Sequence, residues 1–204
     1  MVLYSLLYFL TWIVLHILHP FSSVQGKNHI PEGGFMICAN HSSASDPIWI
    51  DLALGRHSRV HIMAKKEILQ WPVLGKICKK LGAYPVDRDG KDFNAIKTTL
   101  HYLKNGDRVL IFPEGTRVRT GKDINPKRGA VVLAERVGVP ILPIYISRKK
   151  RLFSPVKVII GPAIEPQCSK HPSQPELMNE TIQLMEKIYS LGNETIPYTI
   201  KGEL

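Results

Sequence analysis

Two features of the sequence predict an α/β fold with a largely parallel or mixed central sheet flanked by helices, and a third predicts one N-terminal membrane-associated helix ahead of it. Apolar runs of strand length alternate with helical patterns from Phe35 to Ile160, the rhythm of strand and crossover helix. Several of these runs are apolar on consecutive residues, as strands covered on both faces must be. The stretch Met1 to Leu18 contains no Lys, Arg, Asp or Glu. At 204 residues, 44% hydrophobic and 22% charged, the chain is large enough for one core and too short for two full domains. This composition excludes a collagen, a long coiled coil and a wholly disordered chain. The expected division is an anchoring helix over residues 1–19 and a folded domain over 20–204.

The first element, at about 1.5 Å per residue, makes a helix about 27 Å long, close to the bilayer core of about 30 Å. Placed at about 100° steps, Tyr4, Ser5, Tyr8, Thr11, Trp12, His16 and His19 share one arc. Leu3, Leu6, Leu7, Leu10, Ile13, Val14, Ile17 and Leu18 share the other. The second arc suits acyl chains and the Tyr, Trp and His arc suits the headgroup level, so a helix lying in the interface is expected. A single span, a cleaved signal peptide and a helix docked on the domain compete with it. The signal peptide is weakened by the absence of a basic n-region. If the segment spans, every nearby Lys and Arg follows it, which keeps the domain on the cytoplasmic face of the cell membrane.

After a linker with Gly26, Pro31, Gly33 and Gly34, strands are expected at Phe35 to Ala39, Val60 to Ala64, Ala83 to Val86, Val109 to Phe112, Ile141 to Ile146 and Val156 to Ile160. Helices fill the gaps. Asp46-Pro47 opens one through Leu54, Pro72 lies near the start of another, Asp89 to Lys104 forms a third, and Arg128 to Val137 a fourth that stops at Gly138. Ser173 to Leu191 forms the last.

The formal charge of +10 favours anionic partners: phosphates, acidic lipid, acidic proteins or nucleic acid. Nucleic acid is disfavoured, because the basic residues are not interleaved with stacking aromatics and no known module is present. Cys38, Cys78 and Cys168 lack metal or redox spacing and read as reduced thiols facing the cytosol. His57 and His61 have no companion zinc ligands, so no metal site is expected. No serine lies in a G-x-S-x-G elbow, and no nucleotide-binding glycine loop is present.

Asn40-His41-Ser42-Ser43-Ala44-Ser45-Asp46-Pro47 leaves a strand and enters a helix, the place where open sheets of this class expose their sites. Asp46 is expected to cap that helix, and the compact turn can also bring its carboxylate to His41. A carboxylate on Nδ1–H leaves Nε2 free to accept a proton from an alcohol. The plainer reading is a helix cap and a loop histidine. Arg108 to Phe112 likewise runs into Pro113-Glu114-Gly115-Thr116-Arg117, a turn that joins a glycine, a hydroxyl and a guanidinium suited to phosphate. Glu114 is expected to orient Arg117 or to meet a substrate hydroxyl. Lys65, Lys66 and Arg88 also follow strand ends, which an α/β sheet gathers along one edge.

In this order, Asn40-His41 with Asp46, Val86-Asp87-Arg88, Phe112 to Arg117 and Val139-Pro140-Ile141-Leu142-Pro143 resemble the four blocks of the glycerolipid acyltransferases, in particular the 1-acyl-sn-glycerol-3-phosphate acyltransferases. The resemblance spans roughly residues 20 to 165 and includes Met63 to Glu67. It implies transfer of a fatty acyl group from acyl-CoA or acyl carrier protein to the sn-2 hydroxyl of lysophosphatidic acid, giving phosphatidic acid. By that likeness His41 is the general base and Asp46 its partner, Arg117 and Lys65 bind the phosphate with Arg88 in support, and Glu114, Gly115 and Thr116 shape the acceptor site. The thioester is a co-substrate and no cofactor is implied. Lys65, Lys66, Lys127, Arg128 and Arg148 to Arg151 are expected to hold the domain on anionic membrane lipid. With about twenty residues ahead of the domain, a single anchoring helix is expected. Two alternatives remain: another acceptor, either glycerol-3-phosphate or a lysophospholipid, and a non-catalytic lipid-binding protein.

Overall fold

The computed structural model describes residues 2–55, 58–87, 92–118, 123–165 and 173–200. The side chains of Leu3, Tyr4, Ser5 and Leu7, and the whole of His57, Arg88 and Cys168, lie outside the described residues. The strands are β1 (Ser23–Gln25), β2 (Phe35–Ala39), β3 (Val60–Lys65), β4 (Ala83–Val86), β5 (Arg108–Ile111), β6 (Ile141–Ile146) and β7 (Lys157–Ile160). The helices are α1 (Val2–Leu18), α2 (Asp46–Leu54), α3 (Lys66–Leu69), α4 (Leu74–Lys80), α5 (Phe93–Lys104), α6 (Gly129–Val137) and α7 (Gln174–Leu191).

The strands form one mixed sheet in the order β1-β7-β6-β2-β5-β3-β4, parallel at every pairing except β6 against β7. At the centre, Met36 pairs with Val109 on one side and with Ile141 on the other. All five residues of β2 are fully buried, which is why its sequence is unbroken by polar positions. Alternate side chains divide between two cores. Met36 and Cys38 join the layer under α5, α6 and α7, while Phe35, Ile37 and Ala39 join the layer under α2.

The helix boundaries follow local chemistry. Ser173 and Glu176 form a reciprocal capping box at the start of α7, and Asp92 accepts from the Ala95 amide to start α5. Gly138, in the left-handed region, ends α6. Around Pro72 the chain forms two short helices, α3 and α4, where one was expected, because the Trp71–Pro72–Val73 turn separates them. Strand β1 was not anticipated: its three residues carry no apolar pattern and pair only at the sheet edge.

Helix α1 lies on the domain with the arc expected to meet headgroups. The Tyr8 hydroxyl donates to the Leu52 carbonyl of α2, and the rings of His16 and His19 pack on Trp49. Docking joins Tyr8 and His19, whose Nδ1 lies 3.0 Å from the Ser154 carbonyl, to the domain and leaves Leu6, Phe9, Leu10, Val14 and Ile17 about half exposed or more. Among the described residues no helix is long and apolar enough to cross a membrane.

Candidate active site

Strand β2 delivers Asn40 and His41 to the sheet edge. Asn40 is fully buried and bridges to the end of β6: its Nδ2 donates to the Ile146 carbonyl at 2.9 Å, and its Oδ1 accepts from the Ile146 amide at 2.8 Å. The amide side chain continues the sheet by one ladder step where the two strands separate, and this fixes the point from which His41 departs. The His41 ring stacks on Phe112 at 4.0 Å between centroids.

The turn from His41 to Asp46 closes on the carboxylate. Asp46 Oδ2 accepts from the Ser42 and Ser43 amides at 2.7 Å each and lies 3.0 Å from His41 Nδ1. The helix cap is Ser45, and Asp46 is the first residue of α2. The expected capping role is therefore corrected, since the carboxylate folds back over the turn. Burial alone would raise its pKa, but the hydrogen bond with His41, the charge and hydrogen bond of Lys150 and the Ser43 amide outweigh that and hold it below the ordinary aspartate value. With Nδ1 engaged, the imidazole, 13% exposed, offers Nε2 as its acceptor.

Glu114 is also repositioned. It is buried, with Oε2 accepting from the His41 amide at 2.7 Å and Oε1 from the Tyr189 hydroxyl of α7 at 2.6 Å. Both oxygens are thus engaged inside the protein, so the expected contact with Arg117 or with a substrate hydroxyl is overturned. Burial pushes the carboxyl up to about 7, against the opposing pull of Tyr189, the His41 amide and Arg148. Glu114 buttresses the base from below and locks the last helix to it. The Phe112–Val118 loop is fastened to His41 a second time, by the Val118 amide donating to the His41 carbonyl at 2.7 Å. Gly115 turns this loop at φ 67, a left-handed conformation that side chains rarely adopt.

Beyond the turn, Thr116 and Arg117 are exposed, and Arg117 has no hydrogen-bond or ion-pair partner among the described residues. Lys65 ends β3, 44% exposed, with Glu67 at 3.7 Å. Because β2, β5 and β3 are successive neighbours, His41, Arg117 and Lys65 leave the same sheet edge. At about 4.8 Å between adjacent strands, the outer two strands lie about 10 Å apart. Lys66 instead pairs with Asp87.

Lys150 departs from expectation most. Grouped by sequence with a solvated basic run, it is buried, its Nζ 2.6 Å from Asp46 Oδ1. Arg148 is also withdrawn, 3.6 Å from Glu194, so neither belongs to a lipid-facing surface. The one sequence signal for Lys150 was its place just past β6, the neighbour of β2. Tyr189, deep in the amphipathic pattern of α7, gave no polar signal at all. His61 faces Asp107 at 3.4 Å and stacks on Tyr102. Cys38 is fully buried and its thiol is pushed far up by that burial, as a core residue's is.

Comparison with known proteins shows the family. Residues 22–147 match the family model described as Acyltransferase. The chain is 36% identical over 178 residues to the 1-acyl-sn-glycerol-3-phosphate acyltransferase of Bacillus subtilis (strain 168), covering 84% of this chain and 88% of the relative. It is 32% identical over 156 residues to the human 1-acyl-sn-glycerol-3-phosphate acyltransferase alpha, covering 70% of this chain and 54% of the relative. It thus spans most of the bacterial protein and about half of the human one. Among solved structures, that of the 1-acyl-sn-glycerophosphate (LPA) acyltransferase PlsC from Thermotoga maritima is similar, with a TM-score of 0.63 and 26% identity over 85% of this chain and 72% of that one.

Proposed function

The chain belongs to the acyltransferase family, and from that premise we propose that it transfers a fatty acyl group from a thioester carrier to the sn-2 hydroxyl of 1-acyl-sn-glycerol-3-phosphate, forming phosphatidic acid. The observation that carries the reading is the His41–Asp46 pair at 3.0 Å, with Nε2 left to act. The relatives' shared acceptor supplies the substrate class.

In this mechanism the acceptor phosphate is held by Arg117 and Lys65, a planar fork and a point charge. His41 Nε2 removes the proton of the sn-2 hydroxyl as its oxygen attacks the thioester carbonyl, a contribution of about 10²- to 10⁴-fold. The tetrahedral intermediate collapses, the C–S bond breaks, and the departing sulfur takes the proton from His41. The thioester is already activated, so positioning and a base suffice and no acyl-enzyme is needed. Acyl-CoA and acyl carrier protein both suit as donors, being anionic partners for a basic chain.

The acceptor and product reside in a leaflet, and the exposed apolar side chains suit that setting. Those of α1 point away from the domain. Parallel crossovers are right-handed, and β2 to β3 and β3 to β4 step in the same direction along the sheet, so α3 and α4 share the face of α2 and α1. Trp71 and Val73, both more than half exposed, and the exposed Lys76, Lys79 and Lys80 lie there. This face is the proposed contact with anionic lipid, at the cytoplasmic side of the cell membrane.

The test is thiol release from acyl-CoA and from acyl carrier protein, with and without lysophosphatidic acid, for wild type and His41→Ala in detergent. Acceptor-dependent release that disappears in a folded His41→Ala protein is expected. Release with glycerol-3-phosphate or a neutral lysolipid alone would replace the acceptor, and silence from folded wild type with every donor and acceptor would overturn the reading.

A further inference from the structure

Lys150 has no part in the acyl-transfer chemistry as described so far. Its neighbours Lys149 and Arg151 are exposed, yet its own side chain is 5% exposed and Nζ lies 2.6 Å from Asp46 Oδ1. Nζ also donates to Ser42 Oγ at 3.2 Å and to the Ser147 carbonyl. The ammonium is thus ion-paired to the carboxylate and hydrogen-bonded to a hydroxyl and a carbonyl, three groups that enclose it away from solvent. Asp46 in turn has Oδ2 committed to His41 and two amides, so Lys150 is what holds Oδ1.

Burying two charges costs several kcal/mol per ion before their attraction is counted, and buried pairs are often no more stabilising than apolar ones. The turn is already closed by the Ser42 and Ser43 amides. A buried cation behind the carboxylate therefore points to a role in the chemistry.

We propose that Lys150 is a positioning residue for the general base, acting on His41 through Asp46. It pins Oδ1, so the carboxylate cannot rotate and the imidazole stays aimed. It also sets the charge balance. With Lys150, the cluster of His41, Asp46 and Lys150 is neutral before the hydroxyl proton arrives and singly positive afterwards, so the proton is held only in transit and passes on to the departing sulfur. Without Lys150 the cluster starts negative and ends neutral, so the proton that arrives on it neutralises a buried charge and is released less readily. The other charged groups facing the pair are Glu114, beneath the His41 amide, and Arg148, which acts on Glu114.

This inference rests on the acyl-transfer reading, and the experiment separates the two. The pH dependence of kcat and the KM for lysophosphatidic acid are measured for wild type, Lys150→Met and Lys150→Arg, with melting temperatures alongside. For Lys150→Met, kcat is expected to fall about 10- to 100-fold, as when other groups that orient a catalytic residue are removed, while KM stays within about twofold. The acid limb of the profile is expected to move upward by roughly one unit. Lys150→Arg, which restores the charge, returns the limb toward its wild-type position. If Lys150→Met does not fold, Lys150→Gln removes the charge while keeping a donor, and the same shift is expected. A limb that stays at the wild-type pH in a folded neutral variant, with any activity loss following the melting temperature, overturns the role of Lys150 alone. Inactive wild type overturns the acyl-transfer reading itself.

Discussion

Replacing Asn40 tests whether a single amide sets the position of the base. Its side chain makes two buried hydrogen bonds to Ile146, at 2.9 and 2.8 Å. In Asn40→Ala the Ile146 carbonyl and amide both lose their partner, at about 1–3 kcal/mol for each group left unsatisfied in the interior. Allowing for partial relaxation, the expected loss is about 2–5 kcal/mol. For a chain of this size each kcal/mol lowers the melting temperature by about 2–4 °C, so a fall of about 4–20 °C is expected. Asn40→Asp keeps the shape but sets an oxygen against the Ile146 carbonyl, and is expected to cost at least as much above pH 6. Thermal melts followed by circular dichroism in detergent measure both, and kcat is expected to fall with them because His41 is the next residue. A melting temperature within about 2 °C of wild type for Asn40→Ala would refute the bridge as a structural element.

Glu114 gives a pH prediction. Its folded pKa, about 7 against an ordinary 4.5, is raised, so its contribution to stability is complete below about 4.5 and is lost as pH rises through 7, at most about 3 kcal/mol. Glu114→Gln, which mimics the protonated acid, is expected to gain stability relative to wild type between pH 5 and pH 8.5 in urea titrations; a pH-independent difference would contradict the shift. Arg117→Ala is expected to raise the KM for lysophosphatidic acid about 10- to 100-fold, the value of a charge-assisted hydrogen bond. An equal loss with a neutral lysolipid would rule out a phosphate contact. On the exposed side of α1, Leu10→Glu with Ile17→Glu is expected to weaken flotation with anionic vesicles at least about tenfold, and unchanged flotation would remove α1 from the lipid contact.

The sequence alone determined the sheet and most of its helices, because two-sided burial writes an unbroken apolar run such as Phe35–Ala39 and because capping residues such as Ser173 and Gly138 act within one turn of themselves. It also carried the His41–Asp46 spacing, which is short enough for a local turn to close. What it did not determine was the direction of individual side chains. Glu114 looked like a substrate contact and Lys150 like one of four solvated cations. Only the packing of β6 beside β2 turned Lys150 inward to Asp46, and only the docking of α7 placed Tyr189 against Glu114. The arc of α1 that faces the domain was likewise decided by Trp49 and Leu52, residues thirty or more positions away. Periodicity and caps are local forces and can be read along the chain. The partner of a charge is a long-range choice, settled by which strand ends the fold brings side by side.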